Sequence, residues 1–338
     1  MRVSSEKQSL VIAPQWIGDA VMTEPLMRRL QQRGERLTVG ALPWVAPVYR
    51  AMPQVAQVLE LPFAHGGLQW KARRALAKTL RGQFDAAYVC PNSLKSALLP
   101  WWAGIESRVG YQGEMRWGVL TQRLKNPAKG ARPPMVAFYS ALSGDADIAG
   151  DRPVLSLPPV RADAVVQALG LERGGYYVFA PGAEFGPAKR WPPLHFAELA
   201  LQLTLPVVLL GSGKEAKLCR EITDAVHVQR AGHCLDFSGR TSLDQALAII
   251  AAAKAVVSND SGLMHVAAAF SVPQVAVFGS SSPLHTPPLS QKAHVLWLKN
   301  DPAYQPALDC APCFARECPL GHTRCLHDIK PGDVARFL

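Results

Sequence analysis

A chain of 338 residues exceeds what one ordinary hydrophobic core organises and suits two domains of about 150 residues each. Its composition, 49% hydrophobic and 18% charged, excludes a disordered or low-complexity chain. A formal charge of +10 predicts an anionic partner, and aromatics at 8% that do not interleave with Lys and Arg make nucleic acid the weakest candidate, so none is expected.

No run of about 18 apolar residues occurs, so no transmembrane helix is predicted. The apolar stretch at residues 10–13 is cut short by Pro14 and Gln15 and lacks a cleavage pattern, which predicts no signal peptide and a cytosolic location. Seven Cys, an odd number without an export signal, then predict reduced thiols.

Residues 9–13 form a short apolar strand, followed by a turn ending at Gly18 and Asp19. Ala20, Val21, Leu26 and Leu30 continue as one helical stripe to the Gly34 stop. Asp19 thus lies near a helix start at the carboxyl edge of a strand, where capping is the ordinary use of such a residue. Strands at 37–42, 55–61 and 84–89 alternate with helices at 71–80 and 94–99, which predicts a parallel sheet wound on both faces. Trp101 and Trp102 suit either a core or an interface. A basic loop over residues 123–132 is placed to receive phosphate groups or simply to face solvent.

Three prolines at 153–159 separate the halves, predicting domains at 1–160 and 161–330 and a closing segment, 331–338, that packs back on the first domain. The second half repeats the alternation, with strands at 176–180, 206–210 and 275–278 and helices at 195–203, 215–226 and 243–253. Its first strand runs into a loop, 181–192, that carries Lys189, Arg190 and Trp191.

The most informative stretch is residues 254–269. Ala255, Val256 and Val257 read as a buried strand, Ser258-Asn259-Asp260-Ser261 as a polar break, and Gly262 as the start of an Ala-rich helix with His265 one turn beyond Ser261. Free backbone N–H groups at such a helix start can meet an anion, although Asp260 or Ser261 acting only as a cap explains the same residues. Lys189 as a point charge and the Ser261-Gly262 turn suit a diphosphate, and Glu215 can accept from ribose hydroxyls. Two doubly wound domains with strand ends facing across a cleft would hold the ligand between them.

The runs IAPQWIGDAVMTEPL, PGAEFGPAKRWP and SNDSGLMHVAAA, in that order, resemble the ADP-heptose:lipopolysaccharide heptosyltransferases of glycosyltransferase family 9, and most of all those that add the second heptose. The resemblance spans nearly the whole chain. It implies the GT-B α/β fold, two Rossmann-like domains, and inverting transfer of a heptose from ADP-heptose to the first heptose of the lipopolysaccharide inner core, with no metal or other cofactor. It also implies that Asp19 is the catalytic base, that Lys189, Asp260, Ser261, Gly262 and His265 hold the diphosphate and sugar, and that Glu215 and Thr241 lie near the nucleoside. The expected partners are ADP-heptose, a phosphorylated glycolipid acceptor and the cytoplasmic face of the inner membrane, met peripherally by a monomer whose basic loop and 71–74 segment steer the acceptor.

The chemistry agrees. Inverting displacement needs a base on the acceptor hydroxyl and, without a metal, N–H groups and a Lys to carry the charge growing on the diphosphate. Another GT-B sugar-nucleotide transferase or epimerase shares these features, and donor profiling separates it; a non-catalytic basic binding protein would instead give salt-dependent binding without turnover. Cys310, Cys313, Cys318 and Cys325, with His322 and His327 among them, are spaced so that they either bind zinc or stay as reduced thiols.

Overall fold

The structure, a computed structural model, describes residues 6–63, 67–128, 133–145, 147 and 151–338. It divides into two compact units, Met1–Ser156 and Leu157–Leu338. The division falls among the prolines expected to separate the halves, just before the helix Pro159–Ala168.

The first unit holds six parallel strands: β1 (Lys7–Ile12), β2 (Glu35–Ala41), β3 (Val55–Glu60), β4 (Ala86–Val89), β5 (Ser107–Tyr111) and β6 (Gln122–Leu124), in the order β3-β2-β1-β4-β5-β6. The second holds β7 (Tyr177–Ala180), β8 (Val207–Leu209), β9 (Cys234–Asp236), β10 (Ala255–Asn259), β11 (Gln274–Val277) and β12 (Ala293–Leu296), in the order β12-β11-β10-β7-β8-β9. Parallel strands covered on both faces are largely apolar, and β4, β7, β10 and β11 are buried at every position. Helices from each crossover supply the covering layers, as the alternating pattern requires.

The single helix expected after Asp19 is two helices, Ile17–Met22 and Glu24–Gln32. Pro25, second in the latter, has no N–H to continue the ladder, and its ring would meet the carbonyl of residue 21. Thr23 fills the break by donating its hydroxyl to Ala20 O at 2.6 Å. The outer strands β5, β6, β9 and β12 were not anticipated; β6 and β9 have three residues each, and β12 is half exposed. Arg123 accordingly stands on β6 rather than in a loop, and residues 129–132 of the expected basic loop lie outside the described residues.

The closing segment also departs from expectation. Helix Pro331–Ala335 packs on helix Pro193–Gln202 of its own unit, with Val334 fully buried in the core that contains Trp191, Phe196 and Ile329. A helix this short has one apolar face, and the second unit takes it.

Candidate functional site

Each sheet reverses its winding beside its first strand, between β1 and β4 in one unit and between β7 and β10 in the other. Chains leaving such a pair turn to opposite faces and open a crevice at the carboxyl ends, where α/β sheets bind ligands. The residues singled out from sequence fall largely at these two points.

In the first unit, Asp19 lies in the first turn of helix Ile17–Met22, whose N-cap position is Trp16 and has no side-chain cap bond. Asp19 is therefore not the cap, and its side chain is half buried. Tyr139, from helix Met135–Ser140, donates its hydroxyl to Asp19 Oδ1 at 3.0 Å. Burial, and then the Asp19 charge, push the Tyr139 hydroxyl well above its ordinary range, so it remains a donor. Cys90, at the end of β4, is likewise raised by burial and by Asp19. Both of these neighbours of the carboxylate therefore stay neutral.

In the second unit, the loop after β7 and the turn after β10 are joined by Asn259. Its amide nitrogen donates to Pro181 O at 2.7 Å and its Oδ1 accepts from Trp191 N at 2.9 Å. Lys189, in the short turn Pro187–Lys189, pairs with Asp260 at 2.5 Å, and the other Asp260 oxygen meets Thr286 Oγ1 at 3.4 Å. Gly186 sets the approach of this turn, because a Cβ there would run into the Arg316 carbonyl oxygen. Ser261 holds the N-cap position of helix Gly262–Ala269 but makes no cap bond. Its hydroxyl and those of Ser280 and Ser281 are buried without a hydrogen-bond partner among the described residues. Buried hydroxyls are ordinarily satisfied, so these three near one sheet edge could bond to polar groups of a ligand. His265 is buried on the same helix, close enough to feel the charges of both Asp260 and Lys189.

Glu215 and Thr241 stand differently. Glu215 is buried and closes a capping box, accepting from Ser212 N at 2.8 Å and Ser212 Oγ at 2.5 Å through Oε2. It also packs on Gly182, where a Cβ would come within 2.6 Å of its Cγ. Thr241 is half buried in the turn ahead of Ser242, which caps helix Leu243–Ala252. Sequence reasoning missed Tyr139 and Thr286, for which no pattern exists; the serine run 280–282 after β11 was a legible signal left unused.

Comparison with known proteins gives the family. The family model described as Glycosyltransferase family 9 (heptosyltransferase) matches residues 73–323. The chain belongs to glycosyltransferase family 9. This family 9 chain is 45% identical over 306 residues to lipopolysaccharide heptosyltransferase 2 of Escherichia coli K12, covering 86% of the chain and 87% of the relative. It is 40% identical over 307 residues to lipooligosaccharide heptosyltransferase 2 of Haemophilus influenzae, covering 86% and 88%. Among solved structures, E. coli ADP-heptose lps heptosyltransferase II superimposes with a TM-score of 0.83 at 40% identity, covering 98% of this chain and 97% of that one. A family 9 structure from Veillonella parvula, at 17% identity and a TM-score of 0.78, shares the fold. The two sheets of this family 9 glycosyltransferase are thus the two halves of a GT-B fold.

The burial of His265 is testable through stability alone. Burial, opposed by Asp260 and reinforced by Lys189, lowers the His265 imidazole to about 4. A group held neutral in the fold contributes fully above its ordinary pKa near 6.5, and that contribution is lost as pH falls toward 4, because the unfolded chain takes up the proton first. The loss should reach about 3 kcal/mol near the lower limit. Urea unfolding of wild type is expected to weaken over this window more steeply than that of His265→Gln; parallel pH profiles would refute the assignment.

Proposed function

We propose that this protein transfers a heptose from ADP-heptose to the first heptose of the lipopolysaccharide inner core, with inversion and without a metal in the transfer step. The observation that carries the reading is the second unit's switch point, where the Lys189–Asp260 pair lies on a turn tied by Asn259 to the helix start with the unsatisfied Ser261 hydroxyl. Fixed donors of this kind stabilise charge on a departing diphosphate without reorganising. Lys189 supplies a point charge, Ser261 and Gly262 supply a hydroxyl and backbone N–H, and neutral His265 supplies a hydrogen-bonding ring. Asp260 orients Lys189. Glu215 and Thr241 take the nucleoside side, Glu215 through the carboxylate edge left by its cap.

In the first unit Asp19 is the base. As the bond from the acceptor hydroxyl to the anomeric carbon forms, the proton passes to the Asp19 carboxylate while the C–O bond to the diphosphate breaks, so ADP leaves from the face opposite attack. The test is incubation with ADP-heptose and a lipopolysaccharide truncated to one heptose, read by mass spectrometry. A gain of one heptose is expected; release of ADP without a heavier acceptor would reject the reading.

The same proposal places a monomer at the cytoplasmic face of the inner membrane. Trp70, Trp101 and Trp102 cluster, with Trp70 and Trp102 centroids 4.5 Å apart, and Trp70 and Trp101 are exposed beside exposed Lys71 and Arg74. Met115 and Trp117 are 81% and 76% exposed, and the Arg123 guanidinium lies 5.3 Å from the Trp117 ring. Indoles with adjacent cations suit an anionic lipid–water boundary. Among the described residues no helix is long and apolar enough to cross a membrane. Co-sedimentation with vesicles is expected to rise with anionic lipid and to fall for Trp101→Ala/Trp117→Ala; binding indifferent to lipid charge would remove this surface from the proposal.

A further inference from the structure

Cations gather around the loop that follows β7, and their charges are not equally available. Lys189 is paired with Asp260 at 2.5 Å and Lys214 with Glu184 at 2.8 Å, so both are matched within the protein. Arg190 turns inward, a terminal nitrogen donating to Ala183 O at 3.2 Å and its Nε buried. Arg316, from the segment between β12 and helix Arg324–His327, differs. It is exposed, and its Nε donates to Phe185 O at 2.9 Å. Among the described residues its two terminal nitrogens make no hydrogen bond and meet no carboxylate.

The backbone fixes Arg316 in this place. Ala188 N donates to Arg316 O at 3.0 Å, and Phe314 N donates to Ser280 O at 2.7 Å. The absence of a side chain at Gly186 permits the approach, because a Cβ there would meet the Arg316 carbonyl oxygen. The turn that positions Lys189 thus positions Arg316 as well. Both cations also meet one ring: the Phe185 centroid lies 5.7 Å from Lys189 Nζ and 5.5 Å from the Arg316 guanidinium carbon. An aromatic face attracts a cation, so the half-exposed ring keeps two like charges near each other.

Charge balance gives such a pair a use. Lys189 and Asp260 together are neutral, whereas a departing diphosphate carries negative charge on each of its phosphoryl groups. One matched lysine leaves much of that charge unmet. A guanidinium offers two parallel N–H donors that fit the edge of a phosphate and keeps its charge at any working pH. We propose that Arg316 is a second ligand of the donor's diphosphate, acting beside Lys189 with the Phe185 ring as the spacer between them. The inference rests on the donor role proposed for Lys189, since it takes the ligand there to be a nucleoside diphosphate.

Isothermal titration calorimetry of the full chain, with ADP as the probe, tests the assignment. Arg316→Ala should weaken ADP binding about tenfold, the worth of one charge-assisted hydrogen bond. Arg316→Gln keeps an N–H group able to reach Phe185 O but loses the charge, and it should weaken binding by a similar factor. Introduced beside Lys189→Ala, the Arg316→Ala substitution should still cost about tenfold, because separate contacts to one ligand add. Should Arg316→Ala fail to fold, Arg316→Gln carries the same comparison, alone and beside Lys189→Ala. A loss that vanishes in the Lys189→Ala background would make Arg316 only a support for Lys189 and overturns the assignment, as does Arg316→Gln that binds ADP as wild type does. Those results leave the donor role of Lys189 standing. Wild type that binds no ADP overturns both.

Discussion

Asp19→Asn is expected to bind ADP as wild type does and to turn over about 10²–10⁴-fold more slowly. The substitution keeps the size of the side chain and an oxygen that still accepts from the Tyr139 hydroxyl, now 3.0 Å from Asp19 Oδ1, while it removes the basicity. Steady-state kinetics with ADP-heptose and a single-heptose acceptor would give the turnover number, and calorimetry the ADP affinity. An unaltered turnover number would take Asp19 out of the reaction. A collapse of ADP affinity with turnover intact would move it to the donor. The Tyr139 hydroxyl acts through the carboxylate, so Tyr139→Phe should cost about tenfold in kcat, the worth of one hydrogen bond to a charged group, with KM for the donor unmoved.

Lys189→Ala should weaken ADP binding about 10- to 100-fold, as expected for removing one charge-assisted hydrogen bond to a phosphate. It has a second consequence. Asp260 is 8% exposed and paired to Lys189 at 2.5 Å, so the alanine leaves a carboxylate buried without its cation and lowers stability as well. The two effects separate in Lys189→Ala/Asp260→Asn, which should recover much of the lost unfolding free energy in urea while ADP affinity stays low. Wild-type ADP affinity in the single variant would reject Lys189 as a phosphate ligand; recovery of affinity in the double variant would make it a purely structural partner of Asp260.

How far the fold was legible follows from what parallel sheets demand. Central strands must be apolar on both faces, so β1, β2, β4, β7, β10 and β11 stood out as apolar runs, and their carboxyl ends stood out as the places where polar residues resume. That is why Asp19, Lys189 and the turn at Asp260–Ser261 could be placed at strand ends from the sequence alone. Outer strands carry no such demand; Cys234–Asp236 and Ala293–Leu296 are too short and too mixed to announce themselves. Tyr139 reaches Asp19 across 120 positions and Thr286 reaches Asp260 across 26, contacts that depend on packing and leave no periodic trace. Glu215 illustrates the opposite difficulty. An acidic residue after a Gly-Ser-Gly turn suits a ribose, yet the same spacing from Ser212 makes a capping box, and the carboxylate is partly spent there.

Asn259 has a bearing on how this site tolerates change. Its amide uses its NH₂ end on Pro181 and its oxygen on Trp191, two points of one loop ten residues apart in number, and it is fully buried. Aspartate would turn an oxygen toward the Pro181 carbonyl, glutamine would carry the amide past both partners, and an aliphatic side chain would leave both backbone groups unanswered. Under random mutagenesis with selection for transfer, position 259 should therefore be nearly invariant, while position 286, which offers only a hydroxyl at 3.4 Å, should accept serine freely.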